Sequence, residues 1–317
     1  MPAILTHDFF GQDAFGTALG VLAMFTPDER DAFLLGNQGP DPLFYLQLTP
    51  PLKAFQHLGN DMHAEEPSKL LVRMRRAVDG LDEAERPVGR AYLAGFVCHY
   101  LLDRAVHPLV YYWERGICQA GIEDLDGSDH NIVHAEIERD LDEAVLYAKR
   151  HETIVSYRPY EEVLRASDDV LRTIGKVYFE AAVSDIAHGE RTATRVYPIA
   201  VRCFRVAQRM FFSPKGRKMS KLAKLESPIL HNRYSLVRAM SHRVRAQESS
   251  PYDNHGHNAW RNPFTGKKSD RSFWDLYERT LDEVEPTLQQ VFADDFDEPA
   301  SAALTLGLNF SGEPMEA

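Results

Sequence analysis

The sequence predicts an all-α fold, built as a compact bundle of many helices. Apolar residues recur with a helical period through most of the chain. No run of β-branched residues alternates with polar ones between turn residues, as a half-buried strand requires. At 317 residues the chain can bury a sizeable core. We therefore expect one helical domain over residues 1–317.

Helix boundaries in the first third follow from capping residues. Thr26–Glu29 combines an N-cap threonine, a proline at the first helical position and a glutamate that completes a capping box. The Gly- and Pro-rich residues 36–52 are expected to form a loop. Two helices are predicted at 67–79 and 88–107, with Pro108 ending or kinking the second.

The rest of the chain continues the helical pattern. Lys215–Lys224 is a basic run that indicates a solvated linker or the surface of a helix. The polar residues 248–271 are expected to be a turn-rich loop that packs, with the C-terminal helices, over a core at residues 1–150. The last fifteen or so residues are expected to be frayed. Further helices are predicted over residues 129–150, 160–186, 194–212, 231–247 and 272–293.

Composition narrows the partners and the compartment. The net charge of -11 argues against a nucleic-acid partner, which needs a basic face, and allows at most transient contact with a membrane surface. The beginning of the sequence lacks a basic signal region, and no apolar stretch is long enough to span a bilayer. We therefore expect a cytoplasmic protein. Its cysteines have no CxxC spacing and are expected to be buried thiols in a reducing compartment; they are Cys98, Cys118 and Cys203.

The strongest functional signal is a set of histidines and acids at helical spacing. His99, Asp103 and His107 follow one another at intervals of four residues, which places them on one helix face. His134 and Glu138 repeat this spacing on a second predicted helix. Histidine and carboxylate pairs on two helices are how a bundle builds a metal site in its core, and zinc takes both kinds of ligand. The alternative is structural histidines that are hydrogen-bonded to the neighbouring acid.

Five motifs resemble, in this order, those of the bacterial zinc-dependent phospholipase C family, which is related to the S1/P1-type nucleases. The resemblance covers about residues 1–150, and it is fainter in N-A-W-R-N-P-F-T-G at 258–266 and S-F-W-D-L-Y at 272–277. The five motifs are T-H-D-F-F at 6–10, G-P-D-P-L-F-Y at 39–45, L-G-N-D-M-H at 58–63, H-Y-L-L-D-R-A-V-H-P at 99–108 and H-A-E-I-E-R-D-L-D at 134–142.

This resemblance implies an all-helical fold with two zinc ions, and leaves a third open. A third zinc would be shared by Asp103, His7 and the N-terminal amine of a tryptophan exposed by signal cleavage, whereas this chain begins Met1-Pro2. His7 is therefore either a ligand in a weakened site or a partner of a ligand. His57 stays open as the alternative to His63. The implied ligands are His63, His99 and Asp103 with Asp41 beside them for one zinc, and His107, His134 and Glu138 for the second.

The resemblance also implies a function. The expected activity is hydrolysis of a phospholipid or small phosphodiester by metal-activated water, releasing a phosphorylated head group. Asp41 would orient or deprotonate that water. Two alternatives stay open, namely a nuclease-like phosphodiesterase on the same scaffold and a metal-binding scaffold protein without turnover. The acidic composition counts against the first, because single-strand binding usually combines a cationic groove with stacking aromatics. Manganese or iron in place of zinc and the oligomeric state are left open.

Overall fold

The computed structural model describes residues 3–24, 26–121, 125, 127–183, 194–230 and 234–315. These residues are mostly helical, which confirms the all-α class. No helix among them is both long and apolar enough to cross a membrane. The fourteen helices of the described ranges are α1 (Ile4–Leu22), α2 (Pro27–Gly36), α3 (Leu58–Ala64), α4 (Pro67–Asp79), α5 (Arg86–Cys118), α6 (His130–Arg150), α7 (Ile154–Tyr157), α8 (Pro159–Glu162), α9 (Asp168–Tyr178), α10 (Val196–Phe211), α11 (Arg217–Leu230), α12 (Leu236–Ala239), α13 (Phe273–Val291) and α14 (Glu298–Thr305).

Several predicted boundaries are confirmed to within two residues. Helices α4, α6, α10 and α13 match the predictions for 67–79, 129–150, 194–212 and 272–293. The capping box of α2 forms as expected. The amide of Glu29 donates to Thr26 Oγ1 (3.2 Å), and the amide of Thr26 donates back to Glu29 Oε2 (3.1 Å).

Pro108 does not end α5, so the prediction of a helix that stops at His107 is wrong in its length. The helix runs on to Cys118 with Pro108 inside it. A proline in a helix interior costs about 3 kcal/mol, because it removes one amide donor and crowds the preceding turn. Leu109 and Val110, directly after it, are buried, and their burial offsets that cost.

The prediction of one long helix over 231–247 is also wrong. Of its described residues only Leu236–Ala239 is helical, while 231–233 lie outside the described residues. Beyond α12 the backbone amide of Arg243 donates to the Glu143 carboxylate of α6, and His242 also bonds to an acid of that helix. The segment after α12 therefore forms hydrogen bonds to α6 and does not continue as a helix.

The predicted helix at 160–186 divides into shorter pieces. Helix α8 ends at Glu162, and Leu164 has a positive φ of 63°, which breaks the helix. Ser167 then caps α9 by accepting from the amide of Val170 (3.2 Å). A π-helical turn, Phe179–Val183, follows α9, and residues 184–186 lie outside the described residues.

Two segments predicted as loops carry short regular structure. Within 36–52 and just beyond it the chain forms 3₁₀ turns at Asp41–Leu48 and Pro50–Phe55. Within 248–271, strand β1 (Trp260–Arg261) pairs antiparallel with β2 (Lys268–Ser269), with Trp260 opposite Ser269. The rest of that described segment is turns, as predicted.

The predicted fraying of the C-terminal end is wrong for its described part. Phe310 is buried, and Leu308 forms an isolated bridge with Pro314. The hydroxyl of Tyr100 on α5 donates to the carbonyl of Leu308 (2.7 Å). These contacts order the chain after α14.

The three cysteines are free thiols, as the sequence predicted. Cys98 and Cys118 are buried, whereas Cys203 is only half-buried. Burial raises the pKa of the Cys98 thiol, which keeps it protonated and unreactive.

The described chain divides into two compact units. The first comprises Met1–Phe9, Val106–Val163 and Ala207–Leu276, and the second comprises Phe10–Ala105, Leu164–Val206 and Tyr277–Ala317. Helices α1, α5, α10 and α13 contribute residues to both units. The expectation of a single domain stays a prediction.

In the second unit, α2 crosses α5 at two glycines. A Cβ on Gly36 would lie 2.2 Å from the carbonyl oxygen of Tyr92, and a Cβ on Gly95 would lie 2.0 Å from that of Phe33. Real Cβ atoms do not come this close to other atoms. The two helix backbones can therefore touch only because both residues lack a side chain.

In the first unit, the start of α1 is anchored by a fully buried acid. Asp142 of α6 accepts from the backbone amides of Leu5 (3.0 Å) and Thr6 (2.8 Å) and from the hydroxyl of Thr6 (2.6 Å). Its second oxygen also lies 2.8 Å from His242 Nε2. Because the first amides of a helix have no partner within the helix, Asp142 acts as a cap supplied from a distant part of the sequence.

We expect Asp142→Ala to destabilise the first unit by about 2–4 kcal/mol, because several buried donors lose their acceptor at once. The measurement is chemical denaturation followed by circular dichroism. Glu248→Ala is the control, since Glu248 is exposed and pairs with the exposed His151 at 3.6 Å. We expect that change to stay within about 0.5 kcal/mol. Equal effects of the two substitutions would contradict the capping role.

Candidate metal centres

In the first unit, three of the sequence-predicted ligands meet around one carboxylate oxygen. His107 of α5 and His134 of α6 each place Nε2 3.3 Å from Oε1 of Glu138. The three side chains are buried. His134 and Glu138 share a face of α6 because they are four residues apart. We call this set the α5–α6 triad.

A second carboxylate fixes the orientation of His134. Glu114, two helical turns beyond His107 on α5, accepts from His134 Nδ1 at 2.8 Å through Oε2. Its other oxygen lies 2.6 Å from Nδ1 of His130. With its proton on Nδ1, His134 turns the Nε2 lone pair toward Glu138. Nε2 is buried and lies 3.3 Å from Oε1 of Glu138.

The charges of the α5–α6 triad are strongly coupled. Burial opposes ionisation of Glu138, but the His134 charge and hydrogen bonds from both histidines outweigh it and hold the pKa of that carboxyl well below its usual range. Burial likewise disfavours the charged form of His134, but Glu138 and Glu114 raise its pKa overall. A proton therefore competes with a metal for His134 Nε2, and metal affinity is expected to fall as the pH falls.

A second set lies within the second unit. Ligand atoms of His63, His99 and Asp103 all lie within 4.8 Å of one another, and His99 Nε2 is 3.2 Å from Asp103 Oδ2. His63 Nδ1 faces the carbonyl of Gly59 (2.7 Å), and His99 Nδ1 faces that of Asn37 (3.1 Å). Both rings thus present Nε2 as the metal-binding atom. We call this set the α3–α5 triad.

Asp41 joins this triad through a tight turn. Its Oδ1 lies 3.3 Å from His63 Nε2, and one of its oxygens lies within 4.8 Å of a ring nitrogen of His99. Gly39, with φ of 50°, lets the turn approach, because a Cβ there would lie 2.2 Å from the His99 ring. Burial opposes ionisation of Asp41, but the hydrogen bond and charge of His63 and the charge of His99 lower its pKa. Asp41 is ionised at neutral pH.

Aromatic side chains enclose the α3–α5 triad. The rings of Phe44 and Phe310 lie on His63, each with its centroid 5.0 Å away. Phe310 also packs against His99 at 5.9 Å. This apolar wall lowers the local polarity, which strengthens the attraction between carboxylates and a bound cation.

The geometry of both sets could hold a metal ion. A nitrogen and an oxygen bound to tetrahedral zinc at the usual bond lengths lie about 3.4 Å apart. The separations between imidazole Nε2 and carboxylate oxygen in the two triads are 3.2 and 3.3 Å. Nε2 of His134 faces Oε1 of Glu138 across 3.3 Å, and Nε2 of His63 faces Oδ1 of Asp41 across the same distance. In each pair both atoms carry a lone pair. A metal ion bound between them would be held by both atoms, and Nδ1 of each histidine already faces a hydrogen-bond acceptor.

Seven of the eight predicted ligands therefore lie in two sets, each within one unit. His57, the alternative to His63, is exposed at the start of α3 and belongs to neither triad. His7 is buried on α1 in the first unit, and its role in a third site stays a prediction.

Sequence reasoning missed Glu114 and Phe310. Glu114 follows His107 by seven residues, which is the same face of a helix, so a longer predicted α5 would have revealed it. The predicted stop at Pro108 hid this relation. No local pattern marks Phe310, because its contact with His63 depends entirely on tertiary packing.

Searches of protein-family models, curated proteins and solved structures found no match for this chain. The likeness to the phospholipase C family thus rests on the motifs quoted above.

We expect Glu114→Gln to weaken zinc binding at the α5–α6 triad by about 10–100-fold, because a ligand histidine loses its anionic partner. Glu136→Gln makes the same chemical change at a half-exposed acid that pairs with Arg139, and should leave affinity unchanged. The measurement is competition with a chromophoric zinc chelator. Equal affinities in the two variants would show that Glu114 does not support the site.

Proposed function

We propose that this chain is a zinc-dependent phosphodiester hydrolase of the phospholipase C type, acting on a phospholipid or a small phosphodiester. The observation that carries the proposal is the pair of triads, buried except for the half-buried His63, each with an imidazole Nε2 within 3.3 Å of a carboxylate oxygen. The motif resemblance, and with it the phospholipase C/P1 nuclease type of helical fold, belongs to the same proposal. Zinc is the proposed metal because imidazole and carboxylate ligands at these separations suit it.

The roles of the residues follow from their positions. His107, His134 and Glu138 would hold one zinc, and His63, His99 and Asp103 a second. When bound, zinc acts as a Lewis acid on phosphoryl oxygens and lowers the pKa of bound water. Glu114 and the carbonyls of Gly59 and Asn37 keep the histidines in the tautomer that leaves Nε2 available.

Asp41 is the proposed proton acceptor. Its carboxylate is ionised at neutral pH, as its lowered pKa requires. A water held against it would therefore always meet a hydrogen-bond acceptor, which orients the water and takes its proton during attack on phosphorus. The rigid turn that begins at Gly39 fixes this oxygen beside His63. A scaffold protein without turnover would have no use for such an acceptor.

Replacing Glu138 tests the α5–α6 triad. We expect Glu138→Gln to lose one zinc per chain, as measured by elemental analysis, and to lower phosphodiesterase activity by about 100-fold or more. The helical circular dichroism spectrum should be unchanged. Glu136→Gln, on the same helix, is the matched control. Full activity with an unchanged zinc content would sink the assignment of this site.

Replacing Asp41 separates catalysis from metal binding. We expect Asp41→Asn to keep most of the zinc and to lower the turnover number by about 10²–10⁴-fold, the usual contribution of a general base. Zinc content and turnover are measured on the same preparation. A parallel loss of zinc and activity would mean that Asp41 is a ligand. Wild-type protein that binds two zinc ions but cleaves no phosphodiester would favour the scaffold alternative.

A further inference from the structure

A strongly basic helix face stands out on an acidic chain. The chain carries a net charge of -11, yet residues 213–224 contain no acid. Five cations lie in this stretch, and all are exposed. They are Lys215, Arg217, Lys218, Lys221 and Lys224. We call this set the α11 basic face.

The helix is amphipathic in a way that concentrates the charge. At 100° per residue, Arg217, Lys221 and Lys224 fall within a stripe about 40–60° wide. Met219 and Ala223, on the opposite side of α11, are buried. The buried side therefore fixes which face is outward, and the cations occupy that face.

The cations of this face make no close ion pairs within the described structure, although Lys224 shares a pocket with Glu136 and Glu226. None of the five cations forms an ion pair with a described carboxylate. The first turn of α11 carries Arg217 and Lys218 and no acid. Cations at this end are disfavoured by the helix dipole, whose positive end lies there. An external anion would relieve this repulsion.

Exposed apolar side chains adjoin the basic face. Lys218 Nζ donates to the carbonyl of Arg209 (2.8 Å), and the amide of Met219 lies 3.3 Å from Ser213 Oγ. These bonds tie the start of α11 to the end of α10, where Met210 is 40% exposed. The basic face and Met210 thus belong to one surface region.

Two more exposed apolar residues belong to segments that line a pocket together with the end of α10. Ile154, Phe211 and His242 line one small pocket of the first unit. Val155 follows Ile154 directly, Val244 is two residues after His242, and both are 49% exposed. Met210 directly precedes Phe211, so each of the three exposed residues lies within two positions in sequence of a residue that lines this pocket.

We propose that the α11 basic face and these apolar side chains form a docking surface for a membrane that contains anionic lipid. Clustered lysines and arginines attract anionic head groups, while exposed apolar side chains enter the boundary with the acyl chains. A nucleic acid fits less well, because base stacking needs free aromatic faces. Phe212, the aromatic residue nearest the basic run, packs edge-on against Tyr160 at 4.8 Å. The proposal does not depend on metal binding or on hydrolysis.

The test is co-sedimentation of the full chain with phosphatidylcholine vesicles, with and without phosphatidylserine, at low and high salt. We expect binding only with phosphatidylserine, and its loss at high salt because screening weakens charge attraction. Lys221→Gln with Lys224→Gln should weaken binding by about 30-fold, at roughly fivefold for each lysine. Met210→Ser should also weaken it.

Lys267→Gln with Lys268→Gln is the matched control, because it changes the net charge equally at exposed lysines of the β2 hairpin. We expect this pair to bind vesicles as the wild type does. Three results would overturn the proposal. They are no binding to phosphatidylserine vesicles at low salt, equal weakening by both lysine pairs, and salt-sensitive binding of single-stranded DNA without binding of vesicles.

Discussion

Buried carboxylates need a positive partner, and this requirement organises both candidate centres. Each centre holds two buried carboxylates, Glu138 with Glu114 in the first unit and Asp103 with Asp41 in the second. An isolated ionised carboxylate in a protein interior is very costly. Each centre also holds two histidines, which supply neutral nitrogen ligands. One divalent cation per centre, as proposed, would offset these two negative charges.

A proton would compete with a metal ion for Nε2 of His134. With His134 neutral, its Nε2 lone pair faces Oε1 of Glu138 at 3.3 Å, which is repulsive. Protonation of His134 removes the repulsion, and this is why its pKa rises without metal. The proposed zinc ion would remove it as well and would also bind the second nitrogen, Nε2 of His107. Glu114 holds His134 in the tautomer that leaves Nε2 available. That nitrogen could then bind a proton or a metal ion, and the pH sets the balance between the two.

The sequence could predict only the local part of these centres. The pairs His99 with Asp103 and His134 with Glu138 follow from helical periodicity, which acts over four residues. The choice of His63 over His57 could not be made, because it depends on how α3 packs beside Asp41. The boundary errors share a cause. Pro108 stays helical and residues 241–247 do not, because burial and hydrogen bonds to α6 outweigh local preference.

The composition gives the net charge of the chain, but it does not show how the charges are distributed over the surface. A net charge of -11 describes the field far from the molecule. Salt screens that field over about 10 Å at 0.1 M, so a partner in contact responds mainly to the charges under it. Lys221 and Lys224 are exposed and form no ion pair with a described carboxylate, while acids such as Asp142 and Glu143 are buried. The net charge adds exposed cations and buried acids together and so does not reveal a basic surface. Only the fold shows which of these charges are exposed.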